Sequence, residues 1–307
     1  GSGYIDPMRS DRSTHVASAI VIATGVFWGI YWLPVRSLAD IGLTGAWGTA
    51  AITAAAMVLL LPLALYRWRA IARANPVAVA SVALGGSAFA LYSIGFVYGR
   101  VAIIILLWFL TPVWSTLIGR YLMGWPTPRM RILAIGLGLL GLAIMLGANG
   151  QAPVPRNAGE WMALLAGLLW SFATTGIRAK SALGPFEAAF VFALGATLTA
   201  LALTPFLDPG PAATRIAGPG AALGLAFATG GVWWALSIAS LMWATVRLEP
   251  ARVGILLMTE VLVGAVSAAA LAGERLHPFE IAGGALVLVA GVLEVWPVRP
   301  KSAARAG

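Results

Sequence analysis

Apolar stretches of about twenty residues recur from one end of this sequence to the other. A helix of that length rises about 30 Å, which matches the thickness of the hydrocarbon core of a bilayer. Only 10% of the residues are charged and 60% are hydrophobic, whereas a soluble domain carries roughly 25% charged residues. Because the stretches continue along the whole chain, a cleaved signal peptide does not account for them. The sequence therefore predicts an all-α membrane protein.

The apolar stretches predict ten transmembrane helices with short connections. The third and fourth are separated only by Gly99 and Arg100, which predicts an antiparallel hairpin. The predicted spans cover about residues 15–35, 44–66, 76–98, 101–123, 131–148, 158–178, 186–207, 219–245, 252–272 and 278–297.

Two pairs of segments indicate that the chain is one unit written twice. Gly25–Arg36 (GVFWGIYWLPVR) aligns with Gly167–Arg178 (GLLWSFATTGIR), and Leu106–Gly124 aligns with Ile255–Gly273. We therefore predict two five-helix repeats, 8–148 and 149–297, followed by a tail at 298–307. Five is an odd number, so the second repeat must enter the membrane from the opposite side. Such inverted repeats are typical of secondary transporters, although an assembly protein without transport is the rival interpretation.

The basic residues predict the orientation in the membrane. With the N-terminus inside, fifteen of the twenty Lys and Arg residues lie on the inner side. The five outer loops hold one each, namely Arg36, Arg100, Arg156, Arg215 and Arg275. The positive-inside rule then places both termini and the tail in the cytoplasm, in a bacterial-type inner membrane that the chain crosses many times. Since the basic residues form no cluster, nucleic acid is not an expected partner.

Enzyme chemistry finds little support in the sequence. The two histidines, His15 and His277, lie at opposite ends of the spanned region, and the chain has no cysteine. A zinc site therefore has no plausible ligand set. The sequence contains no nucleophile elbow, no HExxH and no phosphate-binding loop. We expect no catalytic residue, no metal and no cofactor.

Several motifs resemble a known family. Thr111-Pro112-Val113, Gly273-Glu274-Arg275-Leu276, the following IAGGALVLVAGVL and the ten-span pattern resemble the EamA-type drug/metabolite transporter superfamily. The FWGIYWLP segment and the Trp-rich spans look most like its YddG aromatic amino acid exporters. The resemblance implies a secondary exporter that works by alternating access. The sequence departs from the family pattern at Glu260, where a proline is expected.

The polar residues within the spans suggest the kind of cargo. All Asn and Gln residues fall in predicted loops, and polyhydroxylated cargo would leave hydroxyls unpaired at roughly 1–3 kcal/mol each. Aromatic rings and hydroxyls suit an aromatic or apolar amino acid with a polar end. The predicted binding residues are Trp28, Tyr92, Tyr98, Trp108, Thr111, Trp170, Thr174, Trp234, Ser237, Thr259 and Glu260. For each tryptophan, packing or contact with lipid is the alternative, and Trp68, Trp125 and Trp296 are predicted to be interfacial anchors.

Glu260 is the acid predicted to lie deep in a span, where a charge costs at least a few kcal/mol unless it is neutralised or paired. It could bind a substrate ammonium, neutralise a cationic drug, carry a coupling proton, or be a protonated acid bonded to a neighbouring helix. The predicted function is export of aromatic and other apolar amino acids, and the alternative is export of lipophilic or cationic drugs or metabolites. The expected partners are this small molecule, the lipid bilayer and a second copy of the chain. Glycines of spans five and ten would serve as scaffold or dimer contacts: Gly136, Gly138, Gly141, Gly283, Gly284 and Gly291.

Overall fold

The computed structural model describes residues 7–124, 126–180, 183–208, 210, 216–245, 247–248 and 250–295. Within these ranges every regular element is helical, so the all-α prediction is confirmed. Trp125, Trp296, Arg215 and the tail 298–307, for which we made predictions, lie outside the described residues. Trp68 is exposed, as expected of an interfacial anchor.

Fifteen α-helices and one π-helical segment make up the described parts of the chain. The π-helical segment, Gly230–Ser237, lies between α11 and α12. The α-helices are α1 (Pro7–Gly29), α2 (Trp32–Asp40), α3 (Trp47–Tyr66), α4 (Trp68–Arg73), α5 (Pro76–Tyr98), α6 (Val101–Trp108), α7 (Thr111–Tyr121), α8 (Arg129–Leu146), α9 (Ala158–Lys180), α10 (Pro185–Leu207), α11 (Pro219–Thr229), α12 (Ile238–Thr245), α13 (Pro250–Leu257), α14 (Thr259–Leu271) and α15 (Pro278–Val295).

Seven helical stretches of the described chain are long and apolar enough to cross a membrane. Two further apolar helices, Ile255–Leu271 and Pro278–Leu293, are shorter, and α9 is not one of the seven although it has 23 residues. The chain is therefore an all-α, multi-pass membrane protein, and the count of ten spans stays a prediction. The seven stretches are Ser13–Asp40, Trp47–Tyr66, Pro76–Tyr98, Val101–Tyr121, Arg129–Leu146, Pro185–Leu207 and Pro219–Thr245.

Predicted spans four and nine are each broken into two helices near the middle. Pro112 has no N–H to give to the carbonyl of Trp108, and the hydroxyl of Thr111 donates to that carbonyl instead at 2.7 Å. In span nine the break falls at Met258, and the hydroxyl of Thr259 likewise donates to the carbonyl of Leu256 at 2.8 Å. The two breaks therefore use the same local device, a threonine that bonds the carbonyl three residues earlier.

Helices from the first and second halves of the sequence pack directly against one another. Helix α1 packs on α14, α5 on α9 and α10, and α8 on α15. Glycines permit the closest approaches, as at Gly86, where a Cβ atom would overlap the carbonyl of Phe192. Large apolar side chains on the outer surface, such as Leu198 and Val266, remain exposed and suit contact with lipid.

Helix α8 offers a matched pair of glycines for a stability test. A Cβ at Gly141 would overlap the carbonyl oxygen of Gly283, whereas a Cβ at Gly136 would meet no atom within 4 Å. We expect Gly141→Ala to lower the free energy of unfolding by about 1–3 kcal/mol through overpacking, and Gly136→Ala to leave it unchanged or raised. Thermal unfolding of the two purified variants measures the difference, and equal midpoints would contradict the packing of α8 on α15. Since Gly141 and Gly283 face each other within one chain, their role is intrachain scaffolding.

Candidate functional site

A cluster of aromatic side chains lies where α1, α5, α6, α9, α10 and the π-helical segment meet. Phe89 is at its centre, with ring centroids 4.8 Å from Trp108, 5.0 Å from Trp28 and 5.1 Å from Trp170. Spacings of this kind are typical of edge-to-face aromatic contacts. We call this group the central aromatic cluster, and its members are Trp28, Tyr31, Phe89, Tyr92, Trp108, Trp170, Phe192 and Trp234.

Glu260 reaches the edge of this cluster from the first turn of α14. The hydroxyl of Tyr92 donates to its Oε1 at 2.5 Å, and the side chain is buried. Tyr92 in turn stacks on Trp108 at 4.9 Å, and Trp108 lies 5.9 Å from Trp170. Among the described residues, none donates a hydrogen bond to the second carboxyl oxygen, Oε2. This oxygen is therefore available to a proton or to a bound ammonium group.

The indole N–H groups of the cluster fall into two classes. Trp28 donates to the hydroxyl of Ser237 at 3.1 Å, and Trp234 donates to the hydroxyl of Tyr31 at 2.9 Å. The indoles of Trp108 and Trp170 make no hydrogen bond to any part of the chain that the structure describes. Trp28 and Trp234 are thus tied to the protein, while Trp108 and Trp170 retain a donor for a ligand.

The predicted threonines bond to backbone carbonyls close to them in the sequence. The hydroxyls of Thr111, Thr174 and Thr259 donate to carbonyls three or four residues earlier, at 2.7, 2.9 and 2.8 Å. Their hydrogens are therefore committed, and only their oxygens could accept from a ligand. Thr111 and Thr174 bond to the carbonyls of Trp108 and Trp170 themselves, whereas Thr259 bonds to that of Leu256. All three are weaker partners for a ligand than free hydroxyls would be.

Tyr98 lies apart from the other predicted residues. It ends α5, six residues after Tyr92 and hence about 9 Å further along the helix. There it packs in a separate apolar group with Met162, Leu203 and Leu207. The remaining ten predicted residues lie in or beside the central aromatic cluster.

Sequence reasoning missed three rings of the cluster. Tyr31 lies at the break between α1 and α2, Phe89 lies one turn before Tyr92 on α5, and Phe192 comes from α10. The spacing of three between Phe89 and Tyr92 was a usable signal, because such residues share one helix face. Phe192 contacts rings on other helices, and no pattern in the sequence around it indicates this contact.

Ion pairs cross one end of the helical bundle, which we call the far end because it lies opposite the start of α1. Arg36 pairs with Glu274 at 3.3 Å, and Arg100 pairs with Glu280. Glu274 also accepts from the backbone N–H of Val101 at 2.8 Å, at the start of α6. The hydrogen bond to Glu280 raises the pKa of Arg100, which keeps its guanidinium charged. These bonds join α2 and the start of α6 to the connection between α14 and α15 and to the start of α15.

An apolar groove of about 380 Å³ opens on the side of the bundle, between α3 and α11. Its walls carry mainly alanine, leucine and phenylalanine, among them Ala51, Val58, Leu223 and Phe227. It holds none of the predicted binding residues. Such a groove suits lipid tails or other purely apolar groups.

A family match covers the part of the chain that carries Glu260 and Trp170. Residues 157–295 match the EamA-like transporter family. The EamA-like match spans α9 to α15 but covers less than half of the chain, so Trp28, Tyr92 and Trp108 lie outside it. It is a family of transporters, not of enzymes. The finer resemblance to the YddG exporters stays a prediction.

One solved structure, described only as "Crystal structure of protein", is similar to nearly the whole chain. It shares 18% sequence identity at a TM-score of 0.54, over 91% of this chain and 94% of that one. The TM-score indicates a shared fold. Because the sequence identity is so low, the likeness carries no information on cargo. A comparison with curated protein sequences finds no match.

Proposed function

We propose that this chain is an EamA-type membrane transporter that works by alternating access of two inverted halves, 8–148 and 149–297. The family match to residues 157–295 supports the second half directly. The equivalent helix breaks at Thr111 and Thr259 support a common origin for the two halves. Broken helices beside a buried site are a recurring feature of secondary transporters.

The proposed cargo is an aromatic or other apolar amino acid. The observation that carries this proposal is that Glu260 bonds to Tyr92, which stacks on Trp108, which in turn lies next to Trp170. An aromatic side chain stacked on the two indoles gains about 0.5–1.5 kcal/mol beyond the burial of its area. The substrate ammonium would bind Oε2 of Glu260 and gain cation–π attraction from Trp108. One site thus binds both the aromatic side chain and the ammonium group of the cargo. A sugar or a nucleotide does not present this pair of groups.

The carboxylate of an amino acid also needs a partner, and the break before α7 offers one. Helix α7 begins at Thr111, next to Trp108, with Leu110 as its N-cap. Pro112 has no N–H, and the N–H groups of Val113 and Trp114 donate to the carbonyl of Leu110 at 2.9 and 3.3 Å. Among the described residues, the N–H of Thr111 is therefore the donor left at the positive end of this helix. A substrate carboxylate would accept from this N–H, three residues after Trp108 in the chain.

A lipophilic or cationic drug is the second candidate, favoured by the same carboxylate of Glu260. The Oε2 of Glu260, which accepts from no described residue, would also bind the charge of a cation that carries no carboxylate. The two candidates differ in whether the cargo needs a carboxylate.

Transport into proteoliposomes of purified protein separates them. We expect labelled Phe and Trp to be carried fastest, Leu more slowly, and a quaternary ammonium dye at the rate of protein-free vesicles. Saturable transport of the dye that exceeds transport of Phe would support the drug exporter instead. Absence of saturable transport for all four would contradict both.

The proposed orientation places both termini in the cytoplasm of a bacterial-type inner membrane, because most basic residues lie on that side. Reporter fusions at Gly307 and Gln151 measure it. We expect cytoplasmic reporter activity at Gly307 and periplasmic activity at Gln151. The reverse result at either position would contradict the inverted arrangement of the two halves.

A further inference from the structure

Arginines at the far end of the bundle are unexpected, since the positive-inside rule disfavours them on the outer side. Arg36 and Arg100 are explained by their ion pairs with Glu274 and Glu280. Arg156 and Arg275 form no ion pair with any carboxylate in the described parts of the chain. Two guanidinium groups at this end therefore lack a negative partner.

Both of these arginines line one cavity of about 610 Å³. It is open to the surface and is lined by segments from both predicted halves: the loop before α6, the connection before α9 and the start of α15. The arginines and carboxylates in its wall are Arg100, Arg156, Glu160, Arg275 and Glu280.

The two carboxylates of the cavity are already occupied. Glu280 pairs with Arg100 and accepts from the backbone N–H of His277 at 2.8 Å. Glu160 accepts from the backbone N–H of Arg156 at 2.8 Å and from the amide of Asn157 at 3.2 Å. Neither acid therefore forms an ion pair with the guanidinium groups of Arg156 and Arg275.

The two guanidinium groups keep most of their donors. One terminal nitrogen of Arg156 donates to the carbonyl of Leu146 at 2.7 Å, which holds the side chain in place. Its other nitrogens, and the whole guanidinium of Arg275, donate to no described residue. Planar guanidinium forks match the two oxygens of a carboxylate or phosphate group.

We propose that this cavity binds a small oxyanion, a carboxylate or a phosphate, between Arg156 and Arg275. Two sources share this chemistry: the carboxylate of an amino acid leaving the transporter, and the phosphate of a lipid headgroup. Only the first source rests on the proposed function. The site is separate from Glu260, which would take the opposite charge.

Two half-cargo probes separate the anion site from the Glu260 site. N-acetylphenylalanine carries the carboxylate without the ammonium, and phenylalanine amide carries the ammonium without the carboxylate. Their affinities are measured by calorimetry on protein in phosphatidylcholine nanodiscs, with inorganic phosphate as a third probe. The variants are Arg275→Gln and the double variant Arg156→Gln/Arg275→Gln, with Arg69→Gln, exposed on α4, as the control.

We expect the double variant to bind N-acetylphenylalanine and phosphate at least about tenfold more weakly, while phenylalanine amide binds as before. Arg275 is exposed, so Arg275→Gln alone is expected to fold and to show part of the loss. Equal affinity for both anions in Arg275→Gln and Arg69→Gln would overturn the proposal.

The lipid source has its own measurement. Native mass spectrometry of protein taken from vesicles containing phosphatidylglycerol counts retained lipid. Retention by the natural protein and loss in Arg275→Gln would support the oxyanion site with a lipid as its occupant. If anion binding depends on Arg275 but the protein transports no amino acid, the oxyanion site is supported and the proposed function is refuted. Binding of neither soluble anion nor anionic lipid would overturn the proposal.

Discussion

Replacing Glu260 by glutamine is expected to reduce transport of amine-bearing cargo about ten- to hundredfold. Glutamine keeps the size of the side chain and can still accept from the hydroxyl of Tyr92, but it removes the negative charge beside Trp108. A hydrogen bond to a charged group is worth about 1.5–3 kcal/mol, which corresponds to that range. Initial rates in proteoliposomes measure the loss, at several pH values.

Glu187→Gln is the matched control for this variant. Glu187 is also a buried acid, but it pairs with Arg67 at 2.9 Å and lies away from the central aromatic cluster. We expect its loss to affect stability and to leave the transport rate per folded molecule close to that of the natural protein. A Glu260→Gln protein that folds and transports with unchanged rate and pH dependence would show that Glu260 has only a packing role.

Replacing Trp108 or Trp170 by alanine is expected to weaken transport of Phe and Trp more than transport of Leu. The N–H groups of these two indoles donate to none of the described residues, and the two rings lie 5.9 Å apart, with Trp108 stacked on Tyr92. Loss of one aromatic contact costs about 0.5–1.5 kcal/mol, or roughly two- to tenfold in the ratio of aromatic to aliphatic transport. Paired measurements with labelled Phe and Leu on the same vesicles give this ratio directly.

Trp32→Ala controls for the general effect of removing a buried indole. Trp32 is buried, and its N–H donates to the hydroxyl of Ser267 at 3.0 Å, outside the central aromatic cluster. We expect it to lower the transport of Phe and Leu equally, through stability. If Trp108→Ala and Trp170→Ala behave in the same way, their role is packing rather than contact with cargo.

Features set by local chemistry could be predicted from the sequence. The helical character of the chain follows from its long apolar stretches, and the seven long apolar helical stretches of the described residues agree with it. That the carbonyl of Trp108 lacks its usual helical partner follows from Pro112, which has no N–H, and Thr111 fills that place. Glu260 was singled out because an acid within an apolar stretch is costly.

Features set by distant contacts could not be predicted. The break at Met258 contains neither proline nor glycine, so nothing local marks it. The pair Arg36–Glu274 joins residues 238 positions apart, and the sequence presents them only as two loop charges. Tyr98 was placed with the site on its chemistry alone, whereas its position on α5 separates it from Tyr92.

The central claim is that the cargo binds between Glu260, Trp108 and Trp170, and photo-crosslinking tests it most directly. A photoreactive aromatic amino acid, p-azidophenylalanine, is bound to the protein in vesicles and activated, and the labelled positions are read by mass spectrometry. We predict adducts on α5, α6 and α9 around Tyr92, Trp108 and Trp170, which excess Phe competes away. Labelling confined to the lateral groove, around Val58 and Phe227, and insensitive to Phe would contradict the account.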